Sequence, residues 1–161
     1  MRWDEFEKAC PELAGLARER FTRDQLAILG TLRSDGSVRI SPCEVDFAAG
    51  DLLFGMMWES RKALDLMRDP RLTVHSVPPN KENPDGDLKL YGTAVPVTDP
   101  DARRAFVDAI EARIQWHPPG DYHLYAFDVQ RASHVRFSDA EGMRVSRWRP
   151  GTEVVTELRP G

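Results

Sequence analysis

Between Trp3 and Phe21 the apolar positions Trp3, Phe6, Ala9, Leu13, Leu16 and Ala17 recur every three or four residues, the spacing of one helical face. Pro11 can open a helix but not sit inside one, so the segment predicts two short helices or one broken one. The period then changes. Leu26 to Leu32 (LAILGTL) is a compact apolar run ending at Ser34-Asp35-Gly36-Ser37, where Asp-Gly supplies the left-handed conformations of a tight hairpin turn. Val38 to Phe47 continues as a strand, Ala48-Ala49-Gly50-Asp51 turns again, and Leu52 to Trp58 returns as the third strand of an antiparallel meander.

Ser60 stands at the N-cap position of a helix whose apolar face is Ala63, Leu64 and Met67 and which stops at Asp69-Pro70. Leu72 to Val77 is β-branched enough for a strand, Pro78 to Asp87 has the composition of an exposed loop, and Leu88 to Val97 is a further strand. Asp99-Pro100-Asp101 opens a helix with Ala105, Phe106, Ala109 and Ile110 on one face, ending near Trp116 to Gly120. Tyr122 to Val129 alternates as a strand, Ser133 to Phe137 extends it or pairs with it, and Met143 to Trp148 returns across Ser138-Asp139-Ala140-Glu141-Gly142. Six or seven antiparallel strands with flanking helices make a mainly β chain, suited to a small closed or split β-barrel. Sequential strands joined by short turns argue against a parallel dinucleotide-binding sheet.

At 161 residues and 18.3 kDa the chain has the size of one domain. The expected layout is a single domain over 1–161: a helical segment over 1–21, a barrel over 22–150 and a tail over 151–161. The net charge of -4 removes the basic surplus that a general grip on nucleic acid needs, so no nucleic-acid partner is expected. No run approaches the ~18 apolar residues of a membrane span, and the N-terminal residues MRWDEFEKAC lack the apolar core of a signal peptide. Cys10 and Cys43, far apart and outside any Cys-x-x-Cys pair, are expected as free thiols, which points to the reducing cytoplasm.

Signatures of hydrolases, kinases and zinc peptidases are absent. His75, His117, His123 and His134 fall on different elements and are read as surface or core side chains, with no metal site expected. Ser60-Arg61-Lys62 is more informative. At a helix start it gathers a hydroxyl, free backbone N–H groups, the positive end of the helix dipole and two cations, the outline of a phosphate site. An ordinary N-cap followed by two solvated cations is the competing reading. Arg39 on Arg39-Ile40-Ser41-Pro42 joins this corner if its strand pairs with the one ending in Met56-Met57-Trp58; a Met-rich, aromatic wall would then suit a flat heteroaromatic ring with a phosphate tail. Met56 and Met57 serve equally well as core filling.

From Leu26 to Val97 the order of AILGTLRSDGSVRISP, LLFGMMW, SRKALDLMRDPRLTVHS and LKLYGTAVPVTD resembles the pyridoxamine 5′-phosphate oxidase-like, FMN-binding split-barrel family. The resemblance implies a flavin oxidoreductase that passes hydride to or from a small molecule. The phosphate of FMN, or of the deazaflavin coenzyme F-420, would be held by Arg39, Ser60, Arg61 and Lys62. Backbone of Arg39, Ile40, Ser41 and Pro42 and of Met56, Met57 and Trp58 would face the ring. It also implies a homodimer with cofactor sites at the interface, to which Trp116 or Trp148 of a second chain could contribute. A split-barrel protein that holds flavin or haem without turnover is the alternative. The chain departs from the name-giving oxidase in having no Arg-x-His motif near its end, since no histidine follows His134.

Overall fold

A computed structural model, which describes residues 1–78, 80, 82, 86–138 and 142–159, shows an antiparallel sheet wrapped into an open barrel with helices against it. Pro11 separates α1 (Trp3–Ala9) from α2 (Pro11–Asp24) by serving as the first residue of the second helix. The two helices insert Trp3, Phe6, Leu13, Ala17 and Phe21 into the main core, among Leu29, Phe54, Leu90, Phe127 and Trp148. Helix α2 extends three residues beyond the expected 1–21 segment and closes on Gln25 in the left-handed conformation.

Strands β1 (Leu26–Leu32) and β2 (Val38–Glu44) form the expected hairpin, with Leu32 opposite Val38. Gly36 at φ +82° and the Asp35 carboxylate, which accepts from the Ser37 N–H at 2.9 Å, shape its turn. The expected strand over 38–47 is broken at Val45, and Asp46–Ala48 forms a short separate strand, β3. Its partner is β4 (Asp51–Met57), across a turn in which Ala49 and Gly50 are both left-handed.

The expected meander is corrected at this point. Strand β4 does not pair with β2: it pairs with β3 on one side and with β7 (Tyr122–Ser138) on the other. The order is β2-β1-β5-β6-β7-β4-β3, with β5 at Arg71–Ser76 and β6 at Asp87–Pro96. Apolar burial decides this. Strand β4 is buried on both faces, Leu52, Phe54 and Met56 in the barrel and Leu53 under α4 (Pro100–Ile114), a setting that a terminal hairpin arm lacks. The barrel therefore splits between β2 and β4, where the Cys43 thiol meets the Gly55 carbonyl at 3.6 Å in place of a strand ladder.

Strand β7 is one 17-residue strand that joins the two segments expected over 122–129 and 133–137; its first part pairs with β4 and its last part with β8 (Gly142–Trp148). The expected tail contains a strand as well, β9 (Val155–Arg159), paired with β8. With β3 and β9, the described residues hold nine strands. Asp139, Ala140 and Glu141 of the expected last turn, and much of the expected 78–87 loop, lie outside the described residues.

Gly92 lies at a register shift between β6 and β7, where a Cβ would stand 1.9 Å from the Asp128 carbonyl oxygen. Because backbone cannot yield as a side-chain tip does, Gly92→Ala is expected to destabilise the fold by about 3 kcal/mol, the upper end of what overpacking costs. Urea unfolding checks this: the midpoint should fall with the slope unchanged.

Candidate functional site

Strand alternation sorts the four consecutive residues 39–42 onto two faces of β2. Pro42 and Glu44 point outward at the split and line a cleft of about 1010 Å³, together with Gly55, Met56, Met57, Trp58, Ser60 and Lys62. Arg39, Ser41 and Arg61 do not line it, and Ile40, 67% exposed, faces a second and smaller hollow bordered by Val38 and Tyr91. The structure thus brings together six of the ten residues expected at a site; of the others, Arg39 and Ser41 lie outside the cleft on β2, Ile40 faces the second hollow and Arg61 is exposed.

Arg39 serves as a support for the site. Its Nε donates to Asp65 Oδ2 at 2.6 Å, and Thr31 Oγ1 donates to the same oxygen at 2.9 Å. Asp65 projects from α3 (Arg61–Arg68) and is 4% exposed, with Arg68 at 3.6 Å. Burial pushes its carboxyl up, but the bonds from Arg39 and Thr31 and the charges of Arg39 and Arg68 outweigh that and hold it below the usual carboxylate range. The first turn of α3 is thereby tied to the β1–β2 hairpin. Lys62 makes the second tie: its Nζ donates to the Pro42 carbonyl at 2.7 Å, from helix to strand across the split.

Ser60 occupies the N-cap position, yet its hydroxyl does not cap the helix. Its Oγ is buried without a hydrogen-bond partner, as is Ser41 Oγ on β2. No acid lies in the first turn of α3. A buried hydroxyl, a helix N-terminus and Lys62 thus converge where the helix's first turn supplies no acid, the donor set that an oxyanion needs. Arg61 is exposed and, among the described residues, has no side-chain partner.

The turn from β4 into α3 is held by a residue that the sequence reading left as surface or core. Glu59, left-handed at φ +53°, donates its N–H to His123 Nε2 at 3.2 Å, and the imidazole stacks on Trp58 at 4.6 Å with the rings 1° from parallel. The Ser60 N–H returns to the Met57 carbonyl at 3.1 Å. Met56 is buried beneath, while Met57 and Trp58 stand exposed at the rim. Burial pushes the Cys43 thiol up, with partial relief from Lys62, so this cleft residue is a neutral thiol rather than a nucleophilic thiolate. The far wall comes from α4 and the segment after it, through Phe106, Ile110, Ile114, Trp116 and Tyr122. Trp148, by contrast, is core, 2% exposed and 5.0 Å from the Phe6 ring, which removes it as a contributor across an interface.

Residues 13–136, spanning all of these elements from α2 to β7, match the family model of pyridoxamine 5′-phosphate oxidase. The chain belongs to the pyridoxamine 5′-phosphate oxidase-like family. Solved structures agree on the split-barrel fold. A pyridoxamine 5′-phosphate oxidase-related, FMN-binding protein of Nostoc punctiforme is similar with TM-score 0.65 at 13% identity, covering 97% of each chain. PhzG of Burkholderia lata, in complex with tetrahydrophenazine-1-carboxylic acid, gives 0.64 at 16%, covering 95% of this chain and 93% of its own. A haem-binding protein of Mycobacterium smegmatis gives 0.61 at 21%; it covers 92% of this chain, which spans only 58% of the length of that relative. No curated protein matches. Within this pyridoxamine 5′-phosphate oxidase-like chain, no helix of the described residues is long and apolar enough to cross a membrane.

Asp65→Asn removes the ionised partner of Arg39. The depressed carboxyl contributes stability that is fully present above the unfolded value of about 4 and is lost as pH falls through the lower folded value. Thermal unfolding should show the variant less stable at pH 7 by about 1.5–3 kcal/mol, with the deficit closing below pH 4.

Proposed function

We propose that the chain binds FMN at the β2–α3–β4 corner and acts as an oxidoreductase on a small molecule, as a cytoplasmic homodimer with its cofactor sites at the subunit interface. The observation that carries the reading is the buried, unpartnered Ser60 Oγ at the N-terminus of α3, beside Lys62 and within the cleft. A hydroxyl in that position costs free energy unless something accepts from it or donates to it, and a phosphate oxygen satisfies it together with the helix N–H groups.

Ser60 and Lys62 would hold the phosphate, with Arg61 closing over it from the exposed side and Arg39 held ready behind it by Asp65. Met56, Met57, Trp58 and the strand at Pro42 would seat the ring. When bound, FMN supplies hydride transfer, so the chain's work is binding, orientation and exclusion of water. That division fits a cleft whose thiol is neutral and whose acids are paired or at its rim. The FMN-binding Nostoc relative supports FMN, while the haem-binding and phenazine-complexed relatives show the range of ligands named for similar folds.

The test is titration of the purified protein with FMN, followed by flavin fluorescence. Binding should weaken in Lys62→Ala and again in Lys62→Ala/Arg61→Ala, by about 1.5–3 kcal/mol for each charge-assisted bond lost. Unchanged affinity in both variants would sink the phosphate assignment, and a co-purifying deazaflavin or haem spectrum would replace FMN. Light scattering of the FMN-bound protein should give twice 18.3 kDa; a monomer that still binds would overturn the interface site.

A further inference from the structure

The two ends of the cleft differ in chemistry, and the phosphate corner accounts for only one of them. At the other end, α4 presents Phe106, Ile110 and Ile114 at successive four-residue steps, so that one stripe of the helix forms a continuous apolar wall. Leu26, Trp116 and Tyr122 complete it. The floor is set by Gly55: a Cβ there would stand 2.5 Å from Phe106 Cζ, so the missing side chain lets the tip of that ring reach β4. Ile114 and Trp116 remain 42% and 47% exposed around this concavity, an apolar rim left in water.

The charges bordering this end are already committed. Arg113 is paired with Asp46 at 3.0 Å and with Glu44 at 3.3 Å, and it donates to Gln25 Oε1. Arg103 donates to the Val97 and Tyr122 carbonyls and lies 4.2 Å from the centre of the Tyr122 ring. The charged residues lining the cleft are Glu44, which Arg113 holds, Lys62, which belongs to the phosphate end, and Asp121, an exposed carboxylate that would repel an anion. A phosphate or carboxylate entering here would lose its water beside Asp121, with no cation among the residues that line this end. The volume, about 1010 Å³, lies at the top of the ~300–1,000 Å³ range of ligand pockets and leaves room for a second ring beside a bound one.

We propose that the α4 half of the cleft is a subsite for an uncharged, planar aromatic molecule that stacks against Trp116 and the α4 stripe. As the substrate end of an oxidoreductase this rests on the FMN reading; as a binding site it does not. The separation gives the test its arms. 2-Naphthol, uncharged at pH 7, and 2-naphthoate, anionic at the same pH, are titrated by calorimetry into the FMN-free and FMN-saturated protein.

The expected result is one 2-naphthol per chain in both forms, with 2-naphthoate at least about tenfold weaker. Ile114→Glu and Trp116→Ala, both at exposed positions, should each weaken 2-naphthol about tenfold in the FMN-free protein, and Ile114→Glu should leave FMN affinity unchanged. Equal binding of the two probes, or 2-naphthol affinity unmoved in both variants, overturns the subsite. If 2-naphthol fails to bind and Ile114→Glu turns a dimer into a monomer in light scattering, a second copy covers the wall and the proposal falls. If 2-naphthol binds as expected but FMN does not bind at all, the FMN reading fails and the subsite stands.

Discussion

One buried carboxylate joins the two parts of the barrel that the sheet leaves apart. Strands β2 and β4 share no ladder, so no backbone pairing sets the width of the opening between them. Asp65 does so from α3. It holds Arg39 on β2 and Thr31 on β1, while α3 itself follows directly from β4. A charge buried to this extent persists only because each neighbour is a donor, and that requirement fixes helix, hairpin and strand relative to one another. The corner proposed for phosphate inherits its geometry from this bond, since the N-cap Ser60 and Lys62 lie within five residues of Asp65 at the start of α3.

Much of the architecture was legible because it follows from local chemistry. Pro11, Asp35-Gly36, Gly50 and Pro100 mark turns and helix starts by restricting or freeing the backbone, and the turns and starts appear where the pattern puts them, although the strand expected over 38–47 is divided into β2 and β3. Pairing was not legible in the same way. A hairpin turn between 48 and 51 says that its flanking strands meet, but not where the longer strand goes next, and the partner of β4 lies some seventy residues away in β7. Only burial of β4 on both faces reveals it, and the apolar run LLFGMMW reads the same whether one or two of its faces are covered.

The site divides along a similar line. Met56 to Trp58, Ser60 and Lys62 come together because they are one stretch of chain, Pro42 joins them only through the fold, and Arg39 is drawn away from the cleft by its bond to Asp65. Asp65 left no signal in the sequence, because the helix buries Ala63, Asp65 and Leu66 while Leu64 and Met67 of the expected apolar face stand exposed. His123 left none: its role depends on the left-handed Glu59 and on a ring stack between segments 65 residues apart in the chain. The α4 stripe was visible as a core face, but its last turn, at Ile114, serves the cleft rather than the interior.

The placement of α4 separates two kinds of change. Its inner residues Phe106 and Ile110 anchor it on Leu53 and Leu124 in a core of their own, distinct from the barrel interior that α1 and α2 close. Substitutions at its C-terminal turn and at Trp116 therefore touch the lining of the cleft without reaching the closure of the barrel or the Asp65 junction. A lineage carrying this fold can exchange one ligand preference for another by drift in a single exposed turn, while the residues that keep the chain folded and the phosphate corner intact stay under separate selection.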